Sequence, residues 1–307
     1  LSLIMKSFFS KFKNLLLIGA YKTLVIFEKL TNKGIALDFI SKDYIDNPYK
    51  TYNLMRSHKP ILFSQTTRLH WVTKMEFAQE MLRDKRFSVD DRKYPIAEKR
   101  RKEFKKAGRE IMLEQFENPS MLKLDPPDHS RIRKLVQYGF TNRYITSLEP
   151  EIKKIVEDCL DKVHNQDSFD LIEDLAKPLP AIVIAKMMGL PNEDLDQFQA
   201  WSEDLLVGVG GIGTSKEDIK KSGDAYEALI RYFEEIILSR KNSPGDDFIG
   251  KLIQAEESGD KLNVKEMYGT CLLLLIAGHE TTTRLIGNGM FTPVSYTHLR
   301  AHETQPY

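Results

Sequence analysis

Apolar positions along the chain fall into three patterns, and each predicts a different element. From Glu149 to Val163 they recur at Ile152, Ile155, Val156, Cys159, Leu160 and Val163, the three-and-four spacing of an amphipathic helix. The same spacing puts Tyr226, Ile230, Phe233 and Ile237 on one side of a helix from about 218 to 239. A short run of β-formers, Arg68 to Thr73, hands over to the amphipathic stretch Glu76 to Arg83, so a small strand precedes a helix there. Further helices are expected near 43–55, 181–188, 194–206 and 247–256, punctuated by Pro178, Pro180, Gly189, Pro191 and the turn Asn242 to Asp246. The third pattern is continuous: Cys271 to Ala277 is apolar at every position and meets Gly278, His279, Glu280 and three threonines with no turn between.

Asn263 is a good helix N-cap and Glu266 completes a capping box, so one helix is predicted from about 264 to 290, ahead of Pro293. At about 1.5 Å per residue it is roughly 40 Å long. Its apolar run is too short for a bilayer, which needs about 20 residues, so it is expected to be a core helix surrounded by protein. The fold class that follows is mainly α, with a small β region near residues 60–75.

Composition narrows the function. Of 307 residues 41% are hydrophobic, enough for a substantial core, and 45 basic against 44 acidic side chains leave a formal charge of +1. No global field recruits nucleic acid. The basic stretch from Glu98 to Glu110 lacks an aromatic platform beyond Phe104 and reads as a solvated loop or exposed helix, so no nucleic-acid partner is expected. Two distant cysteines, Cys159 and Cys271, argue against a disulfide framework and for a reducing, cytoplasmic setting. Residues 5–30 mix phenylalanines and leucines with lysines, which suits weak contact with a membrane surface rather than a cleaved signal.

Three stretches are candidates for chemistry. Asp125-Pro-Pro-Asp-His-Ser-Arg-Ile-Arg133 starts a helix, with Asp125 as its expected cap. His129 and Arg133 lie four residues apart on one face and form a two-donor clamp for a carboxylate or phosphate, against the plainer reading of a basic face. Gly208 to Gly213 has the spacing of a dinucleotide loop but follows a helix, and reads as a lid or connector. His279-Glu280 lacks the second zinc histidine, because position 283 is threonine, so no metal ligands are assigned.

Taken together, Ala277-Gly-His-Glu-Thr-Thr282, the Asp125 to Arg133 stretch and Leu179-Pro-Ala-Ile-Val-Ile-Ala-Lys-Met-Met-Gly-Leu-Pro191 resemble, in order, motifs of the cytochrome P-450 family of haem-thiolate monooxygenases, soluble bacterial type. The resemblance implies haem b and O2 as cofactors, with His129 and Arg133 on the propionates. Ala277 and Gly278 would let the macrocycle approach the helix backbone. Thr281, bonded back to the carbonyl of Ala277, would order water beside the bound oxygen, and Glu280 would relay protons to it. It also implies an apolar or carrier-bound substrate and a ferredoxin or flavoprotein as electron donor.

The resemblance stops at Met290. The family's Glu-x-x-Arg helix and its cysteine loop do not follow, and Cys159 and Cys271 lie mid-helix, so the axial ligand is not expected from this chain. The expected organisation is an extension over 1–42, an incomplete P-450 domain over 43–290, and a foreign tail over 291–307. The chain as it stands is expected to be an inactive fragment of a monooxygenase; the alternative is a non-catalytic helical binding module.

Overall fold

The computed structural model describes residues 18–207, 215–257 and 259–295, which form two compact units divided between Phe87 and Ser88. The first contains a helix over 18–31, two short helices Lys42–Asp46 and Pro48–His58, a hairpin of Ile61–Ser64 with Leu69–Val72, and the helix Met75–Arg83. Pro48 occupies the first position of its helix, where its missing N–H costs nothing, and so divides the expected 43–55 helix in two. Ile35, Leu37, Met55 and Leu62 form the small core, flanked by Phe39, Tyr44, Tyr52 and Trp71. Within it Glu28 is fully buried, accepting from the backbone N–H groups of Leu37, Gln65 and Thr66 and from the Ser64 hydroxyl, so one carboxylate ties the first helix to the hairpin turn. His70 packs its ring on Phe63, at 4.9 Å between centroids.

The second unit is helical around the long helix Val264–Ser295. Packed against it are Lys216–Ser239, Pro178–Met187, Leu195–Val207, Phe248–Gln254 and the single π-helical turn Leu171–Ala176. Phe198, Leu229, Phe233, Phe248, Tyr268, Cys271 and Leu275 meet in the shared core, all essentially buried. The basic stretch becomes the helix Ala97–Lys106, followed by Glu110–Glu117. Several of its cations are neutralised: Arg101 pairs with Glu117 at 2.5 Å, Arg109 with Asp224 at 2.7 Å, and Arg100 with Asp91 at 3.3 Å. Glu149–Asp161 is the predicted amphipathic helix, except that Leu160 is exposed while Ile155 and Cys159 carry its buried side. The glycine-rich lid at 208–213 lies outside the described residues, as do residues 1–17 and 296–307.

Three differences have clear physical causes. The long helix runs one turn past the expected end because Pro293 deprives only the carbonyl of Gly289, and that residue is exposed to solvent. The helix is also not enclosed all round. Cys271, Leu272 and Leu275 are buried, whereas Ala277, Thr281, Leu285 and Met290 open to solvent. Third, Asp125 does not cap the helix Asp128–Gln137, whose first turn has no side-chain cap. Its carboxylate turns outward and accepts from Ser88 Oγ (2.5 Å), Val89 N (3.1 Å) and Lys93 Nζ (2.7 Å), because three donors in the facing loop outcompete one helix N–H.

Candidate functional site

The long helix begins with the capping box: Glu266 N donates to Asn263 Oδ1 at 3.0 Å and Asn263 N to Glu266 Oε2 at 2.9 Å. The other oxygen of Glu266 takes a bond from Arg131, which also reaches Asp260 at 3.4 Å. Arg131 therefore fastens the Asp128–Gln137 helix to the start of the long helix, a role that its spacing in the sequence does not reveal.

Farther along, the long helix presents different faces to different neighbours. His279 and Thr283 stitch it to the 171–177 turn: His279 Nε2 lies 3.1 Å from the Lys177 carbonyl, and Thr283 Oγ1 donates to the carbonyls of Ala176 and His279, both at 2.9 Å. Burial lowers the His279 pKa below its usual value, so the ring is a neutral donor to that carbonyl, and its buried Nδ1 has no partner among the described residues. Gly278 faces Ile184, and a Cβ there would come within 2.9 Å of the Ile184 Cδ1. Its smallness serves helix packing, while Ala277 sits on the exposed face with Thr281.

Thr281 Oγ1 donates to the Ala277 carbonyl at 2.5 Å, the back-bond expected from the sequence. With that proton committed, the hydroxyl oxygen still offers lone pairs outward from the exposed face. Glu280 points to a different side. Its Oε1 is held by Arg284 Nε at 3.0 Å and Nη2 at 2.5 Å, and it borders a cavity of about 830 Å3 together with Glu203, Asp204, Lys221 and His279. Lys221 is itself paired with Asp204 at 2.6 Å. The structure thus brings Glu280 and Thr281 to adjacent positions with their side chains turned apart.

His129 is half-buried and Arg133 exposed on the Asp128–Gln137 helix, and neither side chain has a hydrogen bond or ion pair among the described residues. Two adjacent, unspent donors suit an anionic group such as a propionate. A haem thiolate ligand is another matter. Cys159 and Cys271 are the chain's two cysteines, both buried in helices, and burial pushes both thiols up, away from the thiolate form. These residues fit the edge and the oxygen face of a haem, and they do not fit its axial ligand.

Helices arranged in this order around a long helix that carries Ala-Gly-His-Glu-Thr-Thr define a known class. The family model for cytochrome P450 matches residues 37–292, and the chain belongs to that family, one of haem-iron monooxygenases. Among its relatives is the putative cytochrome P450 YjiB of Bacillus subtilis, 34% identical over 270 residues that make up 83% of this chain and 62% of the relative. The biotin biosynthesis cytochrome P450 of the same organism is 34% identical over 258 residues, 83% of this chain and 62% of that one. Of solved structures, P450BioI in complex with a fatty-acyl acyl carrier protein superposes with TM-score 0.72 at 31% identity, covering 86% of this chain and 66% of that one. Substrate-free CYP109E1 from Bacillus megaterium gives 0.70 at 31%, covering 84% and 65%. The chain spans about 62% of the length of the two curated relatives named above.

Proposed function

We propose that this chain carries the oxygen-side wall and the propionate grip of a haem monooxygenase that inserts one atom of O2 into an organic substrate. The observation that carries the reading is the Thr281 back-bond on the exposed face beside Ala277. A bound haem iron would supply the O2 chemistry. Thr281 holds water at its free lone pairs. Glu280 faces the other side of the helix in its pair with Arg284, so it hands a proton to that water only after leaving Arg284 and swinging toward Thr281. His129 and Arg133 grip the propionates, and Ala277 keeps the face low enough for the macrocycle. Gly278 acts on that face indirectly, by letting Ile184 seat the helix.

The substrate is apolar or carrier-bound, and electrons come from a ferredoxin or flavoprotein in the cytoplasm. The relatives named for biotin biosynthesis and solved with an acyl carrier protein support the carrier-bound alternative. No helix among the described residues is long and apolar enough to cross a membrane. Helix 18–31, with Ile26, Phe27 and Leu30 exposed beside Lys22 and Lys29, suits surface contact with one.

We infer that these 307 residues bind haem weakly or not at all, without a thiolate, and are inactive as an oxygenase. Haem titration followed by Soret absorbance is the test. We expect weak binding with no red-shifted reduced carbon monoxide band, weakened further by roughly tenfold in Arg133→Ala, the worth of one bond to a charged group. A stoichiometric complex with the thiolate-type band would overturn the inactive-fragment reading. Affinity indifferent to both Arg133→Ala and His129→Ala would overturn the grip.

A further inference from the structure

The helix over 18–31 has two sides of opposite character. Tyr21, Val25 and Glu28, with Asn32 just past the end, recur at three- and four-residue steps and turn inward, the last three buried and Tyr21 half-buried. The opposite side carries Ile26, Phe27 and Leu30, each at least half exposed, with Thr23 among them and no charged residue. The hydroxyls of Thr23 and Thr31 donate to the carbonyls of Gly19 and Phe27, both at 3.0 Å, so their protons are already spent within the helix and lose little on leaving water.

The roll of this helix is fixed from its inner side. Glu28 accepts from the N–H groups of Leu37, Gln65 and Thr66, and the Tyr21 hydroxyl accepts from Phe39 N at 2.8 Å. The apolar face is therefore held outward before anything docks on it. Its charges are of one sign. The first 33 residues hold Lys6, Lys11, Lys13, Lys22, Lys29 and Lys33 against a single acid, Glu28, and that acid is the one withdrawn into the core. Lys22 and Lys29, two turns apart, line one flank of the apolar face, and Lys33 follows just beyond the helix. All three are exposed, and none makes an ion pair among the described residues. A second copy of the chain would bring the same cations to the contact and be repelled. An anionic bilayer surface answers the lysines and receives the apolar side chains at once, because lysine stems can lie along apolar surface while their ammonium heads reach the phosphates.

We propose that helix 18–31 lies on a bilayer surface bearing anionic lipids, with Ile26, Phe27 and Leu30 entering the acyl boundary and Lys22, Lys29 and Lys33 at the headgroup phosphates. This rests on the reading of the helix as a membrane-surface element and adds to it the lipid class and the face that enters.

The test is co-sedimentation of the 307-residue chain with phosphatidylcholine vesicles and with vesicles of phosphatidylcholine and phosphatidylglycerol in equal parts. Wild type should bind the anionic vesicles at least about tenfold more tightly and lose most of that advantage in high salt. Lys22→Gln combined with Lys29→Gln should lower affinity for the anionic vesicles by about tenfold or more. Phe27→Ser combined with Leu30→Ser should lower it by a similar factor of about ten, with the melting temperature unchanged because both side chains face water. In Phe27→Trp the emission should shift to the blue when anionic vesicles are added. Equal affinity for the two vesicle types would overturn the anionic-lipid proposal and leave surface contact standing; binding to neither would overturn both. Binding indifferent to both double variants would place the contact elsewhere on the chain and overturn the proposal. Vesicle-free self-association removed by the Phe27 and Leu30 substitutions would also overturn it, since a second copy would then cover the face.

Discussion

Two carboxylates tie distant pieces of backbone together. Glu28 accepts four bonds in the first unit, three of them from backbone N–H groups that have nowhere else to go once water is excluded. Glu28→Ala is expected to cost about 3 kcal/mol by chemical denaturation, since it strands those donors. Asp125 behaves differently because it is solvent-accessible. Lys93 first, then Ser88 and the Val89 N–H, hold its pKa at about 2. An unfolded aspartate titrates near 3.9, so the folded group has the depressed value and its contribution is complete above about pH 4. It is lost as the pH falls from there toward 2. Asp125→Asn should therefore lower stability in the neutral region and flatten the acid limb, so that variant and wild type converge as the pH falls toward 2; an unaltered acid limb would refute the assignment. Neither knot was legible in the sequence. Asp125 reads as a helix cap beside two prolines, and only the fold brings Ser88 and Lys93 to it. Glu28 gives no local signal at all.

Elements were more legible than their partners. The capping box at Asn263 and Glu266 is a local device, and it forms as its four-residue pattern requires. The amphipathic spacing over 218–239 predicted the helix Lys216–Ser239 and its buried face of Ile230, Phe233 and Ile237. What spacing could not show is which small residues the packing needs. A Cβ on Gly250 would sit 1.9 Å from the Gly245 carbonyl oxygen, a backbone atom that cannot step aside. Gly250→Ala is expected to destabilise by roughly 2–4 kcal/mol in thermal melts. Gly278→Ala should be much milder, because the atom that it meets is the flexible end of Ile184. Equal losses for the two would contradict this contrast.

At the scale of the whole molecule, the long helix has one side in the core and one side bare. Leu285 (72% exposed), Met290 (56%) and Phe291 (68%) stand along its second half. Large apolar side chains exposed around that half of the helix make a surface that self-associates. Leu285→Lys combined with Met290→Lys should lower the light-scattering mass and reduce binding of an apolar dye; unchanged self-association would place the sticky surface elsewhere.

The family was within reach of the sequence because its evidence is local. The Ala277 to Thr282 run, the Asp125 to Arg133 helix start and the capping box are short-range patterns, and the Thr281 back-bond to Ala277 follows from four-residue geometry on any helix. Tertiary structure decided everything that needs two segments far apart in the chain. It placed Gly278 against Ile184, tied Arg131 to Glu266, and set His279 against the Lys177 carbonyl. A side chain's partners are set by packing, and packing is a property of surfaces that meet only when the chain has folded.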